Sequence, residues 1–382
     1  MLRAREKAWL VASVMSLWTR IRGPKQTCAN SVPARRLRVL NLPPRAALGY
    51  RATYVPGSGP DPFDLERRCA AQGIDVVTID PAGWPFNPFA GKHPMLEGLD
   101  LWRALRVMLF ERHADLVVAV SEAPAVPLVL LRRLFGFRTP IVVADLAPAE
   151  RWWLRKRLQD FVIPRVAGIV SPSSSQVAYV AQRWSATVPV EVVGMPIDTD
   201  FFRPTAGPPG DYIFSIGRDV GRDFATLLAA MDSVPTNLWL RTSRQLPPAA
   251  AAMKNLRVLR EHVDDQQLRD LYAGCRFVVA PLANTVNASG VTTIQEAGAM
   301  GKALVVSDNP AIRDYIVPDE TCLVVPCHDT AAMHGAIMRL LNNPELCDRL
   351  GRNARQFALD TGSPEVNVAR GCAVMRRLAR PA

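Results

Sequence analysis

Short apolar runs rich in β-branched residues alternate with longer stretches of helical periodicity along most of the chain. In the first half, Leu37–Leu42, Asp75–Ile79, Leu116–Val120, Ile141–Ala144 and Gly168–Val170 read as buried strands. Helices are predicted between them, around 62–72, 99–113, 123–135 and 150–162, with Pro-rich loops at 43–62 and 81–88. A second series follows residue 211, with strands at Tyr212–Ile216, Asn237–Leu240, Arg257–Leu259, Phe277–Ala280, Ala303–Val306 and Cys322–Val325. Its helices are predicted at 223–232, 265–274, 290–299, 310–316, 330–342 and 344–358. Continuous apolar strands separated by helices imply parallel sheets covered on both faces. Residues 203–211, RPTAGPPGD, have no apolar period and read as a linker.

The predicted class is therefore α/β, with two Rossmann-like doubly wound parallel-sheet domains facing a central cleft. The expected boundaries are 1–36 for a basic N-terminal segment, 37–202 for the first domain, 203–211 for the linker, 212–362 for the second domain and 363–382 for a C-terminal helix. Open parallel sheets bind ligands beyond the carboxyl ends of their strands, so the cleft is the default site.

Composition narrows the picture. A chain of 382 residues exceeds what one core usually organises, and 49% hydrophobic residues exclude a mostly disordered chain. No apolar run reaches the roughly 18 residues of a spanning helix, which excludes a polytopic membrane protein. The net charge of +11 is uneven: residues 1–206 hold 27 Lys and Arg against 17 Asp and Glu, and the remainder is near neutral. A basic half attracts phosphate-bearing partners, although it also serves as a solubilising surface. The seven cysteines form no C-x-x-C pair, which argues for structural thiols in a reducing compartment. Cys327-His328 is too isolated for a metal site, and Asp198-Thr199-Asp200 reads as a turn.

Three segments of the first half mix Trp, Leu and basic residues. Residues 7–22 place Trp9 and Trp18 around a 12-residue weakly polar run, as in a signal peptide, an interfacial helix or an ordinary packed helix. In 150–158, Trp152 and Trp153 lie beside Arg151, Arg155, Lys156 and Arg157, which suits anionic lipid or a buried Trp pair beneath a solvated basic face. Residues 99–113 repeat the amphipathic basic pattern.

Two stretches of the second half carry candidate chemistry. Residues 284–305 lead from a polar loop into a helix starting near Gly290, with Ser289 as expected N-cap. Free N–H groups there make an anion site, and Gly290 admits close approach of a ligand. Thr292 and Glu296 lie four apart on one helical face, where a carboxylate can accept bonds from sugar hydroxyls. In 212–228, Gly217 ends a strand, and Arg218 and Arg222 follow on the loop, placed to clamp a diphosphate.

Residues 212–362 resemble the nucleotide-sugar-binding domain of the retaining glycosyltransferase family 4, of GT-B fold, also termed glycosyl transferases group 1. The resemblance rests on Ser215-Ile216-Gly217-Arg218, on Leu268-Arg269-Asp270-Leu271-Tyr272, on the run from Glu296 to Val305 (EAGAMGKALV) and on Leu350–Arg355 (LGRNAR). These motifs keep their order over some 140 residues, and Val192–Pro204 resembles the family's hinge. The resemblance implies that Arg218 binds phosphate, that Arg222 stands where a lysine is usual, and that Glu296 binds the nucleotide ribose. Two departures stand out. The first glutamate of the family's E-x7-E motif falls on Ala288, in a loop resembling a Ser-Gly-Thr variant. The cleft histidine is absent, and Asp145 follows its strand instead.

The resemblance thus implies a retaining, metal-independent glycosyltransferase using a nucleotide-diphosphate sugar as donor, with no cofactor beyond that substrate. Arg218, Arg222 and Asp145 are the candidate catalytic residues; Gly217, Asn287, Ser289, Gly290, Thr292 and Glu296 are the candidate donor-binding residues. The acceptor is expected to be a lipid-linked or membrane-proximal glycan. An anionic membrane surface is a candidate partner of the first half, which places the protein on the cytoplasmic face of a membrane. A nucleotide-sugar epimerase and a catalytically degenerate scaffold subunit are the alternatives, the latter favoured by Ala288 and the missing histidine. No nucleic-acid-binding module is recognisable, so nucleic acid is not expected as a partner.

Overall fold

The structure is a computed structural model. It describes residues 35–44, 54–61, 64–83, 85–90, 94–146, 152–184, 188–208, 210–285 and 287–379, with the side chains of 94 and 95 excluded. The amphipathic segment at 7–22, Cys28 and Arg151 lie outside the described residues.

The first sheet is six-stranded and wholly parallel, in the order β2-β1-β3-β4-β5-β6. Its strands are β1 (Leu37–Leu42), β2 (Ile74–Thr78), β3 (Leu116–Val120), β4 (Ile141–Ala144), β5 (Gly168–Ser171) and β6 (Val190–Val192). The second sheet is also six-stranded and parallel, in the order β12-β11-β10-β7-β8-β9. Its strands are β7 (Tyr212–Ile216), β8 (Asn237–Arg241), β9 (Leu256–Leu259), β10 (Val278–Ala280), β11 (Leu304–Ser307) and β12 (Leu323–Val325). Central strands such as β4 and β10 are apolar and buried throughout or nearly so, as strands covered on both faces must be.

Helices clothe the first sheet unequally. One face carries α3 (Leu101–Phe110), α4 (Ala125–Leu131), α5 (Trp153–Val162) and α6 (Ser175–Trp184), which contribute Val107, Leu128, Val162 and Val180 to a core with Leu40, Val117 and Val143. The other face takes α1 (Asp64–Ala71), while α2 (Pro94–Gly98) precedes α3. In the second half the helices are α7 (Phe224–Ala230), α8 (Asp265–Gly274), α9 (Val291–Ala299), α10 (Thr330–Leu341) and α11 (Pro344–Gly362). The last helix, α12 (Pro364–Leu378), turns back to the first half. Its Val368, Cys372 and Leu378 pack with Val39, Cys69 and Ile74 beside α1. Burying a large aliphatic side chain is worth about 1.5–3 kcal/mol, so this return crossing ties the two halves together firmly.

Several predicted boundaries shift. The helix expected at 310–316 is a 3-10 helix, Pro310–Tyr315, begun by the Asn309 side chain accepting from Ala311 N at 2.8 Å. The helix expected to end at 358 continues to Gly362. The elements α2, α6 and β6 were not anticipated.

The described residues from Leu37 onward pack as one compact unit. Loops beyond the carboxyl ends of both sheets touch. Tyr315, beyond β11, donates its hydroxyl to Pro172 O, just after β5. Asp314 accepts from Ser174 N at 2.7 Å and from Ser173 Oγ at 3.1 Å, at the start of α6. Met195, beyond β6, accepts from Gln295 Nε2 of α9 at 2.8 Å. The two carboxyl edges therefore face one another, as the default placement of a ligand site requires.

Candidate functional site

The loops after β7 and β10 are stitched into one surface. Arg222 and Leu282 form an isolated antiparallel bridge, Ala283 N donates to Gly221 O at 2.8 Å, and Asp223 N donates to Pro281 O at 3.1 Å. The two stretches singled out in the sequence are thereby brought together.

Arg222 is the centre of this surface. It is buried, its Nε donates to Asp219 Oδ2 at 2.8 Å, and its Nη2 donates to Thr293 Oγ1 of α9 at 2.9 Å. Its Nη1 is buried with no hydrogen-bond partner among the described residues. An unpaired buried donor costs about 1–3 kcal/mol, more when charged, so Nη1 marks a place where an anion is wanted. Gly217 is required beside it: a Cβ there would lie 2.7 Å from Arg222 Cγ and Cδ.

Asp219 holds the arginine in place. It also accepts from Gly221 N at 3.0 Å and bonds the Ser289 side chain. Burial alone would raise its carboxyl, but the Arg222 charge and these hydrogen bonds outweigh burial and hold it below the ordinary value. Ser289 is thus occupied with Asp219. The expectation that it caps α9 is corrected: the N-cap is Gly290, in the left-handed region at φ 86°, with no side-chain cap bond. A residue with a Cβ is disfavoured at that φ and would meet Leu282 as well, which explains the glycine. The free N–H groups of α9 consequently begin at a bare glycine turn, open to an anion.

The remaining candidates divide. Arg218 is exposed on the same loop. Asn287 is half-buried, and its Oδ1 is buried without a partner among the described residues. Thr292 is exposed on the first turn of α9, its Oγ1 3.4 Å from Met195 Sδ. Glu296 is 9% exposed rather than a surface residue, and accepts the Tyr272 hydroxyl at 2.7 Å. Burial pushes its carboxyl up to about 7, with the Tyr272 bond and the Arg222 charge pulling the other way. Arg222, which packs against α9, thus bears electrostatically on Glu296 within that helix.

Asp145 is the only first-half candidate. It is exposed and left-handed at φ 54°, immediately after β4. The packing around its carboxyl pushes it upward, Arg155 pulls it down, and Glu122 pushes it up again; the net direction is up. Glu122 was not anticipated. It is fully buried, and Arg155 Nε and Nη2 both donate to its carboxylate, the latter at 3.2 Å. Ser121, next to it at the end of β3, is also left-handed, at φ 81°. Two non-glycine residues at positive φ on adjacent strand ends mark a strained loop pair of the kind found at functional sites. A lone glutamate after an apolar strand gives no sequence signal of such a partner. Arg244 was likewise missed; its Nη1 donates to Asp219 O, adding a third guanidinium to the loop.

The isolated pairs resolve as local structure. Asp198 Oδ1 accepts from Asp200 N at 3.0 Å and Phe201 N at 2.9 Å, forming the expected turn. His328 Nδ1 lies 2.6 Å from Asp223 Oδ2. Among the described residues no group of three or more His, Cys, Asp and Glu side chains could hold a metal ion. Nor is any helix among them long and apolar enough to cross a membrane.

Two parallel six-stranded sheets with facing carboxyl edges, and an arginine-bearing loop against a glycine-started helix, give this chain a GT-B fold. Residues 253–357 match the family model described as glycosyl transferases group 1. It is 27% identical over 371 residues to an MMP alpha-(1->4)-mannosyltransferase of Mycolicibacterium hassiacum, covering 86% of each chain. Among solved structures, the fold is similar to a sucrose-phosphate synthase from Thermosynechococcus elongatus, with TM-score 0.70 and 17% identity over 90% of this chain and 99% of that one. It is also similar to Anabaena HepE in complex with UDP-glucose, with TM-score 0.63 and 13% identity over 89% and 99% of the two chains.

Proposed function

We propose that this protein transfers a hexose-type sugar, with retention of configuration and without a metal ion, from a nucleotide-diphosphate donor to a lipid-linked or membrane-proximal glycan. The observation that carries this reading is the buried, unpartnered Nη1 of Arg222 beside the open start of α9. A diphosphate seated there would satisfy the orphan donor and meet the N–H groups of α9, with Arg218 closing from the exposed side. As the glycosidic bond breaks, negative charge grows on the diphosphate, and these fixed donors stabilise it where it develops. Glu296 would take the ribose hydroxyls, and Asn287, Ser289, Gly290 and Thr292 would line the path of the donor sugar. Asp145 would approach from the opposite edge, to the acceptor hydroxyl or the donor sugar. The named mannosyltransferase and the UDP-glucose complex of HepE support a nucleotide-sugar donor without fixing the sugar or the base.

Thermal unfolding with nucleoside diphosphates tests the donor site. A rise in melting temperature is expected for the native protein, undiminished by EDTA and lost in Arg222→Met. No rise with any nucleoside diphosphate would refute the reading. Product mass spectrometry across a donor panel then tests the chemistry. Binding without transfer or hydrolysis would favour the scaffold reading, which Ala288 and the absent cleft histidine support.

A further inference from the structure

The helices α3, α4 and α5 lie side by side on one face of the first sheet, α3 against α4 and α4 against α5. Their inner sides fill the core, and a helix so placed ordinarily shows a polar outer side. Here the outer side carries large apolar residues among its charged ones. Trp102 is 49% exposed, Phe110 76%, Trp153 73%, and Leu134, just past α4, 80%. Arg106 is exposed one turn from both Trp102 and Phe110, and Lys156 is exposed one turn beyond Trp153. The buried Trp pair that the sequence left open is therefore excluded: both Trp152 and Trp153 face solvent.

Scattered exposed apolar side chains are normal and need no partner. The second half of the chain serves as an internal control, since it has the same architecture. Of the 15 exposed large hydrophobic residues among the described ones, only Val220 belongs to it. Exposed cations stand on the same helices, Arg106 on α3 and Lys156 and Arg157 on α5. Nearby carboxylates do not cancel the cations. Glu111 is taken by Arg38 at 2.5 Å, and Asp160 by Arg183 at 3.0 Å.

We propose that the outer face of α3, α4 and α5 docks on an anionic lipid bilayer. Trp102, Phe110, Leu134 and Trp153 would enter the headgroup layer, and Arg106 and Lys156 would pair with lipid phosphates. Tryptophan flanked by basic residues suits this boundary, where the ring meets hydrocarbon and the cations meet phosphate. Helices between parallel strands run antiparallel to them, so α3 and α5 begin at the carboxyl edge. Trp102 and Trp153 both lie in those first turns and would bring the edge that carries Asp145 toward the bilayer. The surface stands on its own residues and does not depend on the glycosyl-transfer reading.

The test is co-sedimentation of the full chain with phosphatidylcholine vesicles, alone or with about one-third phosphatidylglycerol. Binding at least about tenfold stronger to the anionic vesicles is expected. Trp102→Ser combined with Trp153→Ser, and separately Arg106→Gln combined with Lys156→Gln, should each lower it by about tenfold or more. The paired Trp→Phe variant should retain most binding. An unchanged response to nucleoside diphosphate would show that each variant is folded and would separate this proposal from the donor-site reading. Equal binding to neutral and anionic vesicles, or undiminished binding by both sets of variants, would overturn it. So would light scattering that shows the face buried in a stable dimer dissociated by the same substitutions.

Discussion

Glu296→Gln is expected to stabilise the protein at neutral and alkaline pH while weakening nucleotide binding. Burial raises this carboxyl from 4.5 to about 7, so the folded state retains a proton that the unfolded chain releases. Between those two values the folded state binds more protons, and stability falls as pH rises. The contribution is fully present below pH 4.5 and lost above about pH 7. At 1.36 kcal/mol per pH unit the loss is about 3 kcal/mol, an upper bound for a single group. Glutamine keeps the length and can still accept the Tyr272 hydroxyl, which bonds Glu296 at 2.7 Å, but it carries no charge to desolvate. The variant should match the native protein near pH 4.5 and exceed it progressively toward pH 8. Each 1 kcal/mol gives a shift of about 2–4 °C for a cooperative unit of 150–250 residues. Scanning calorimetry from pH 4.5 to 8 reads the difference, and titration with nucleoside diphosphate at pH 8 reads binding. A melting temperature below the native one at pH 8, or a difference that does not grow with pH, would refute the reasoning.

Two other substitutions probe the geometry. Gly217→Ala should abolish the melting-temperature rise with nucleoside diphosphate and leave the far-ultraviolet circular dichroism unchanged, because its Cβ falls on the Arg222 side chain; a retained rise would show that Arg222 is dispensable. Asp314→Ala removes the carboxylate that accepts from Ser173 and Ser174 across the two halves, at a cost of about 1–2 kcal/mol for a lost helix cap. A larger radius of gyration by small-angle scattering is expected, and an unchanged profile would mean that α12 and Tyr315 hold the halves without it.

Periodicity made the sheets and most helices legible because covered parallel strands read as unbroken apolar runs, as in Ile141–Ala144 and Val278–Ala280. It missed β6, an edge strand of three residues in which Glu191 breaks the run, and α6, whose start lies in a serine cluster that reads as loop. At the site, motif spacing singles out Arg222 and Glu296 but not what holds them. The tie from Asp219 to Ser289 spans 70 positions, that from Arg222 to Thr293 spans 71, and the Arg155–Glu122 pair spans 33. Tertiary contacts of this kind leave no local period. The Ser289 cap failed for the same reason: a better partner, Asp219, lies on another loop, and a glycine can start α9 without a side chain.

Salt separates the two kinds of positive charge in this chain. Arg222 is buried and neutralised at 2.8 Å by Asp219, so its hold on a diphosphate depends on donors at hydrogen-bond range and little on the wider field. Arg106 and Lys156 are exposed, with nearby carboxylates already paired, so their pull on a surface acts through solvent. Raising salt from 0.1 to 1 M shortens the screening length from about 10 Å to about 3 Å. Anionic-vesicle binding should then fall by about tenfold or more, whereas nucleoside-diphosphate affinity should fall several-fold less. Parallel slopes for the two ligands would mean that one diffuse basic field serves both, and the assignment of the diphosphate to a buried arginine would fail with it. Divergent slopes would mean that exposed cations of the first half act on the bilayer through solvent, while the donor is held by buried donors at hydrogen-bond range.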